Sequence, residues 1–194
     1  SPVANASFSL SESLGLVADL MDLTADYEKA IEAVLGERLR GIVVPDMDRL
    51  KKGVQQLQSL KNGRGTLILR DTPSSEQRRL WSQEENHAPS DGILGAAIAF
   101  VSPKPGYEDM VRRLLHGVLI VRDIDAAFTH WESMGVPTQS GRLLVTLAGE
   151  VITPSGIVSA GEISGLLEKK REMAVLSEET ATLRREIEQT GTRL

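Results

Sequence analysis

The sequence predicts an α+β protein made of two similar α/β subdomains, followed by a helix with a coiled-coil pattern. Three observations lead to this prediction. Segments of the first 70 residues recur later in the chain. In both copies, short runs rich in Val, Ile and Leu alternate with helical patterns. Residues 165–194 carry apolar side chains at alternating spacings of three and four, as a coiled coil requires.

The repeat is clearest where residues 14–35 align with residues 94–115 without a gap. The identical positions of the first copy are Leu14, Gly15, Tyr27, Glu28 and Leu35, and those of the second are Leu94, Gly95, Tyr107, Glu108 and Leu115. Further on, "IVVPDMD" (42–48) aligns with "LIVRDID" (119–125) after a three-residue deletion. Both halves then read strand, helix, strand, helix, strand. The alternative is two unrelated α/β units with similar patterning.

A second repeated motif lies near the ends of the two halves. "GRGTLIL" at 63–69 pairs a Gly-Arg turn with an apolar strand, as does "GRLLVTL" at 141–147. The polar, turn-rich stretch between the halves contains Pro73, Pro89 and Gly92 and is predicted to be a linker. The predicted organisation is a lead-in (1–13), subdomain I (14–70), the linker (71–92), subdomain II (93–164) and the start of a coiled coil (165–194).

The last segment differs from the rest of the chain. Its heptad positions are Leu166, Lys169, Met173, Leu176, Thr180, Leu183, Ile187, Thr190 and Leu194, with Glu, Lys and Arg between them. Ser164 is in place to cap the start of the helix. A seam this narrow favours pairing with another helix. The alternative is an ordinary amphipathic helix packed on the domain.

The composition excludes several classes of protein. With 41% hydrophobic residues, the 194-residue chain can bury a core. Aromatic residues make up only 4% of the chain, so they contribute little to that core. The absence of cysteine excludes disulfides and thiolate chemistry. The longest apolar run, "GILGAAIAFV", has half of the ~20 residues that a membrane-spanning helix needs. No signal-peptide pattern is visible, so a soluble protein is predicted.

Paired carboxylates follow an apolar strand in each half. Asp46 and Asp48 in the first half, and Asp123 and Asp125 in the second, could hold Mg²⁺ beside a nucleophilic carboxylate, as in some phosphatases. Because both pairs directly precede a helix, capping of the helix is the favoured interpretation. The three histidines, His87, His116 and His130, lack ligand-like spacing, and no phosphate-binding loop of the P-loop type is present. The sequence therefore predicts no active site and no metal site.

The end of the second half is rich in glycine. In "LLVTLAGEVITPSGIVSAGEISG" (143–165), a turn at Gly149 is explained by strand reversal. Turns explain less well why Gly156 and Gly161 bracket the short apolar strand "IVSA". We expect this strand to lie at an open sheet edge, which invites pairing with another chain.

These stretches resemble the hinge domain of SMC (structural maintenance of chromosomes) proteins, in particular the bacterial condensin-type SMC. The resemblance rests on "LGLVADLMDLTADYEKAIEAVLGERL", "GRGTLIL", "LLHGVLIVRDIDAA" and, as the most specific motif, "LVTLAGEVITPSGIVSAG", and it covers about residues 14–170. It implies a non-enzymatic hinge that joins two chains as a toroid-like homodimer by extending sheets near paired glycines. In this chain the first glycine of each pair is replaced, giving Ser155-Gly156 and Ala160-Gly161. The predicted interface comprises Gly149, Ser155, Gly156, Ala160 and Gly161.

The resemblance also implies partners and a cellular role. The hinge interrupts a long antiparallel coiled coil, so the final helix would pair with another segment of the same full-length chain. ATP and Mg²⁺ would act in the family's ATPase heads, which are absent from this stretch, and the hinge itself would need no cofactor. The full-length protein would serve chromosome condensation and segregation in the cytoplasm, associated with the nucleoid.

Local basic charge suggests weak contact with DNA, a property the resemblance also implies. Residues 38–64 contain seven Lys and Arg against two Asp, a local charge of +5 in a chain of net charge −5. The predicted DNA-binding residues are Lys61, Arg64, Lys169, Lys170 and Arg171. No aromatic residue is interleaved with them, so phosphate contact without sequence preference is expected. An ordinary solvated surface is the alternative for these charges. Alternatives for the whole chain are a metal-dependent phosphatase-like enzyme built on the Asp-x-Asp loops and a ligand-sensing tandem α/β domain.

Overall fold

The computed structural model describes residues 13–59, 65–71, 92–133, 142–161 and 165–191, with side chains in the last helix described to residue 185. Most of the predicted lead-in (1–13) and of the predicted linker (71–92) therefore lies outside the described residues.

The first half contains four strands and two helices in the described ranges. These are β1 (Gly15–Leu16), β2 (Met21–Leu23), α1 (Ala25–Leu35), β3 (Ile42–Val44), α2 (Met47–Ser59) and β4 (Leu67–Leu69). Short 3₁₀ turns follow β1 (Val17–Leu20) and α1 (Gly36–Arg40).

The second half repeats this order and then continues. Its elements are β5 (Ile93–Ala96), a 3₁₀ turn (Ala97–Phe100), β6 (Val101–Pro103), α3 (Glu108–Leu114), β7 (Val118–Val121), α4 (Ile124–Ser133) and β8 (Leu143–Thr146). Two further strands, β9 (Val151–Ile152) and β10 (Val158–Ser159), precede the long helix α5 (Leu166–Gly191).

The strands of the two halves form sheets of the same plan. The first sheet has the order β1-β3-β4 and the second the order β10-β9-β8-β7-β5. In each, the first strand of the half runs antiparallel to its neighbour, and the last two strands of the repeat are parallel. The equivalent strands β2 and β6 pair with each other, antiparallel, and so connect the two halves.

The strand registers support the predicted internal duplication. Gly15 lies opposite Val43 in the first sheet, and Gly95 lies opposite Ile120 in the second, as the sequence alignment requires. The alignment of the two Gly-Arg motifs, however, is wrong by one residue. Ile42 pairs with Leu67 and its counterpart Leu119 pairs with Leu144, an offset of 77 positions instead of 78. The strands that follow the two Gly-Arg pairs are equivalent, whereas Gly63, Arg64 and Gly141 lie outside the described residues.

One hydrophobic core spans both halves. Side chains of α1, including Ile31 and Leu35, lie in the same buried cluster as Val111 and Leu115 from α3 and Val145 from β8. Leu167, at the start of α5, belongs to this cluster too. A smaller cluster on the second sheet contains Ala127 of α4, with Trp131 packed at its border. Because the large core draws on both halves, we expect the halves to fold together.

Helix α5 leaves the domain after its first turns. Leu167 is buried, whereas every described side chain from 171 to 185 except that of residue 181 is exposed. The alternative of an amphipathic helix packed along the domain is therefore wrong for this stretch. None of the helices in the described ranges is both long and apolar enough to cross a membrane.

Candidate functional site

Two adjacent regions concentrate the features that the sequence singled out. One is the end of the second sheet, formed by β8, β9 and β10. The other is the root of α5, which we define as residues 166–171. Residues 160–165 connect β10 to α5.

The two hairpins of the first region use the same turn chemistry. In "TLAGE" (146–150) the N–H of Gly149 donates to the carbonyl of Thr146 (3.0 Å), and the N–H of Thr146 donates to the carbonyl of Glu150 (2.9 Å). In addition, the Glu150 N–H donates to the Thr146 hydroxyl (3.1 Å). Gly149 has φ +96°, which glycine adopts without strain at the last position of such a three-residue loop.

The second hairpin, "TPSGI" (153–157), repeats each of these contacts. The Gly156 N–H donates to the Thr153 carbonyl (2.9 Å), the Thr153 N–H to the Ile157 carbonyl (2.9 Å), and the Ile157 N–H to the Thr153 hydroxyl (3.0 Å). Gly156 has φ +79°. The expectation that a turn explains Gly156 poorly is therefore wrong, because this turn requires glycine there. Whether Gly156 also meets another chain stays a prediction.

Strand β10 is the outermost strand of the second sheet. Its apolar residues are unusually accessible, with Ile157 61% and Val158 47% exposed. Because Thr153 and Ile157 form a hydrogen-bonded pair, the alternation of an antiparallel ladder turns the N–H and carbonyl of Val158 away from β9. An exposed apolar edge with outward-facing backbone groups is the usual template for pairing with another strand.

The predicted interface residues fall into two groups. Gly149, Ala160 and Gly161 line one cleft of about 370 Å³, together with Ser159 and Glu32 of α1. Ser155 and Gly156 lie at the second hairpin turn, where the Ser155 and Thr153 hydroxyls are 2.8 Å apart. A Cβ atom built on Gly156 would lie 3.4 Å from the Trp131 ring, whereas one built on Gly161 would meet no atom within 4 Å.

The root of α5 is held by two carboxylates of α1, which sequence reasoning missed. Glu32 accepts the N–H of Leu166 (2.9 Å) with one oxygen and that of Leu167 (3.2 Å) with the other. Glu28 accepts the Nε–H of Arg171 (2.8 Å), and this bond raises the pKa of Arg171. The predicted cap, Ser164, lies outside the described residues. Glu32 fills the capping role because its carboxylate satisfies first-turn amides.

The predicted DNA-binding residues are not equivalent in the structure. Lys170 donates from Nζ to the carbonyls of Ala18 and Met21, the latter at 3.3 Å. Lys170 and Arg171 therefore already have partners within the chain. Lys169 is exposed on the same turn, and Lys61 and Arg64 lie outside the described residues. Of the basic stretch around them, Arg38, Arg40, Lys51 and Lys52 are exposed.

The repeated Asp pairs are helix caps in both halves. The Arg49 N–H donates to Asp46 (2.9 Å) and the Ala126 N–H donates to Asp123 (2.9 Å). These contacts lower the pKa of Asp46, through the Arg49 amide first, and that of Asp123, through the Arg122 side chain first. Asp48 and Asp125 lie in the first turns, where they complement the helix dipole. Within the described ranges, no group of three or more His, Asp and Glu could hold a metal ion.

Comparison with known proteins agrees with this geometry. The chain is 36% identical to the chromosome partition protein Smc of Myxococcus xanthus over 171 residues, 86% of this chain but 14% of that protein. A crystal structure of an asymmetric dimer of the Geobacillus stearothermophilus SMC hinge domain matches with a TM-score of 0.68 at 24% identity, covering 92% of this chain and 71% of that one. A Pyrococcus furiosus Smc hinge domain with an extended coiled coil matches with a TM-score of 0.60 at 23% identity, covering 93% and 64%.

The family assignment settles the choice among the alternatives. Residues 10–129 match the family model described as the SMC proteins flexible hinge domain. A hinge domain is not an enzyme, and neither the phosphatase-like nor the ligand-sensing alternative is supported. With its two α/β halves of the same plan, its open edge strand and its projecting helix, this chain belongs to the SMC hinge domain family.

Proposed function

We propose that this chain is the dimerisation hinge of a chromosome partition SMC protein and that strand β10 forms the contact between two copies. The observation that carries the proposal is the exposed apolar edge at Ile157 and Val158. The predicted interface residues Gly149, Ala160 and Gly161 line the cleft directly beside this edge. A strand added there would cover the apolar side chains and use the outward-facing backbone groups of Val158.

The matching edge in a second copy is the outer side of β4. Strand β4 ends the first sheet, in the place where β9 continues the second. If β10 of one copy meets β4 of the other, a two-fold axis produces the same contact twice and leaves neither edge open. The Thr66 carbonyl accepts the N–H of Ile42, and the Arg70 N–H donates to the carbonyl of Val44. The backbone N–H and carbonyl groups of Leu67 and Leu69 therefore point away from β3. Because Arg113 already donates to the Leu69 carbonyl, Leu67 is the residue at which we expect pairing.

Helix α5 is proposed to begin the coiled-coil arm of the full-length protein. Met173, Leu176 and Leu183 lie on the predicted heptad seam and are all exposed, Met173 by 71%. An antiparallel helix from the same full-length chain would cover them. The ATPase heads, which would bind ATP and Mg²⁺, would lie in the remainder of that protein. The proposed setting is the cytoplasm, in association with the nucleoid and in the service of chromosome condensation and segregation.

The mass of the protein in solution tests the dimer. We expect the wild-type chain of 21.1 kDa to run at twice that mass by light scattering at micromolar concentration. Val158→Pro removes an outward-facing N–H without removing a bond to β9, so it should yield a folded monomer. Val158→Thr, which keeps both the N–H and the branched shape, is the matched control and should remain dimeric. A monomeric wild type would contradict the proposal, and so would a dimeric Val158→Pro protein.

Weak contact with DNA is proposed for the basic stretch 38–64 and for Lys169. Arg38, Arg40, Lys51 and Lys52 are exposed there, and phosphate contacts by such residues would be independent of sequence and strongly reduced by salt. We expect Lys61→Glu with Arg64→Glu, and separately Lys169→Glu, to weaken binding of a fluorescent oligonucleotide. Lys170→Gln and Arg171→Gln should change it less, because both side chains already bond within the chain.

Lys104→Glu, which makes the same charge change as Lys169→Glu but outside both clusters, is the control for net charge and should leave most of the binding intact. No binding by the wild type at low ionic strength would remove DNA contact from the proposal and leave dimerisation standing.

A further inference from the structure

The root of α5 follows the second half in sequence, yet its polar contacts are with the first half. Leu166 and Leu167 donate to Glu32, Arg171 donates to Glu28, and Lys170 donates to carbonyls of the turn after β1 and of β2. These contacts join residues that are between 134 and 152 positions apart in the chain. They are made by Leu166, Leu167, Lys170 and Arg171, within the first two turns of α5, so they restrain the helix at several points.

The two carboxylates are buried, with Glu32 4% and Glu28 6% exposed. A buried carboxylate is costly unless hydrogen bonds compensate it, and here α5 donates such hydrogen bonds to both carboxylates. The bidentate contact is directional as well, since two oxygens on one carboxylate meet two consecutive amides. A single contact would leave α5 free to pivot, whereas contacts at residues 166, 167, 170 and 171 oppose both rotation and tilt.

We infer that Glu28 and Glu32 are positioning residues, which fix the direction in which α5 leaves the hinge. The repeat shows that these contacts are particular to the first half. The positions that match Glu28 and Glu32 are Glu108 and Arg112 in α3, and Glu108 instead accepts the N–H of Gly106 (2.9 Å). Glu32 also lines the cleft beside Gly161, so the carboxylate that holds α5 lies next to the end of β10. The inference does not depend on dimerisation.

Amide hydrogen exchange at Leu166 and Leu167 tests the capping contact directly. The first amides of a helix have no acceptor within it and normally exchange fast. We expect both to be protected in the wild type and to exchange at least about tenfold faster in Glu32→Ala, since the bonds are to a charged group. Glu32→Gln keeps one acceptor and should fall between the two. Asp26→Asn, an exposed change on the same helix, is the control and should match the wild type.

The direction of α5 is measured separately. Because the chain has no cysteine, spin labels can be placed at Glu132→Cys on α4 and Glu179→Cys on α5, both exposed. Labelled chains are mixed with an excess of unlabelled chains, so that distances between subunits do not contribute. We expect one narrow distance distribution in the wild type and a broad one in Glu28→Ala with Glu32→Ala. Arg171→Gln, which breaks the Glu28 contact from an exposed site, should broaden it partially even if the double variant folds poorly.

Unchanged exchange at Leu166 and Leu167 in folded Glu32→Ala overturns the inference. Faster exchange with an unchanged distance distribution also overturns it, because the carboxylates would then stabilise α5 without positioning it. Light scattering on the same samples keeps the outcomes separate, since a monomeric wild type would contradict the proposed dimer and leave the positioning role to be decided by the distances.

Discussion

The two halves of this hinge share a frame and differ in what they add to it. The order of strands and helices and the strand registers match from β1 to β4 and from β5 to β8, and so do core positions such as Leu35 and Leu115. The second half then adds two Thr-x-x-Gly hairpins and ends in the open strand β10. The first half stops at β4 but carries Glu28 and Glu32, which hold α5. The matching parts of the two halves form the shared hydrophobic core. The parts that differ form the exposed edge strand β10 and the carboxylates that bind the start of α5.

One pair of matched positions makes the sheet edges of the two halves different. Ala33 in α1 matches Arg113 in α3. The small side chain of Ala33 leaves the cleft beside β10 open, whereas Arg113 reaches the Leu69 carbonyl at the outer side of β4. Burial lowers the pKa of Arg113, and nearby Asp109 and Asp71 oppose that shift. The edge of the first sheet is thus partly covered by its own chain, whereas Ile157 and Val158 at the edge of the second are exposed among the residues that the structure describes.

The largest expected effect comes from the shared frame. Leu35 and Leu115 are matched positions, both 2% exposed in the core that spans the two halves. Leu35→Ala and Leu115→Ala should each lower the free energy of unfolding by about 2–5 kcal/mol, because each removes buried methyl groups from one core. Leu183→Ala, on the exposed part of α5, should stay within about 0.5 kcal/mol of the wild type.

Calorimetry distinguishes one core from two. Both core variants should shift the same single transition. Two transitions, with each variant shifting a different one, would show that the halves fold independently and would contradict a shared core.

A smaller effect is expected at the two helix caps. Asp46→Ala and Asp123→Ala should lower the melting temperature by similar amounts, while Asp→Asn should cost little because Asn caps nearly as well. Both pKa values lie below the ordinary 3.8 in the folded state, so the stabilisation is present above that pH and is lost as the pH falls through the folded values. The Ala variants should therefore lose part of the acid sensitivity below pH 3.8.

The same caps provide the test against metal binding. Millimolar Mg²⁺ should leave the melting temperature of the wild type unchanged. A Mg²⁺-dependent rise that disappears in the Asn variants would contradict the capping role.

The sequence predicts what is local or repeated and misses what is distant. The α+β class and the caps at Asp46 and Asp123 are confirmed, because spacing and neighbouring residues determine them. The strand registers support the repeat, and the coiled-coil seam of α5 stays a prediction. The alignment of the two Gly-Arg motifs is wrong by one residue, because a short motif does not define a strand register. Glu32 could not be found, because its contact with Leu166 spans 134 positions and an acidic residue on a helix gives no sign of a distant partner. Gly156 was misjudged because the turn type depends on both strands that it joins.

Disulfide crosslinking tests most directly whether the edges of unlike halves meet. The chain has no cysteine, so Leu67→Cys with Val158→Cys introduces one thiol on β4 and one on β10. If β10 of one copy pairs with β4 of the other, oxidation should yield a covalent dimer, because paired strands bring their Cβ atoms within disulfide reach. The single variants should yield little. Efficient crosslinking of Val158→Cys alone would instead show β10 meeting β10 and would contradict the proposed contact between unlike halves.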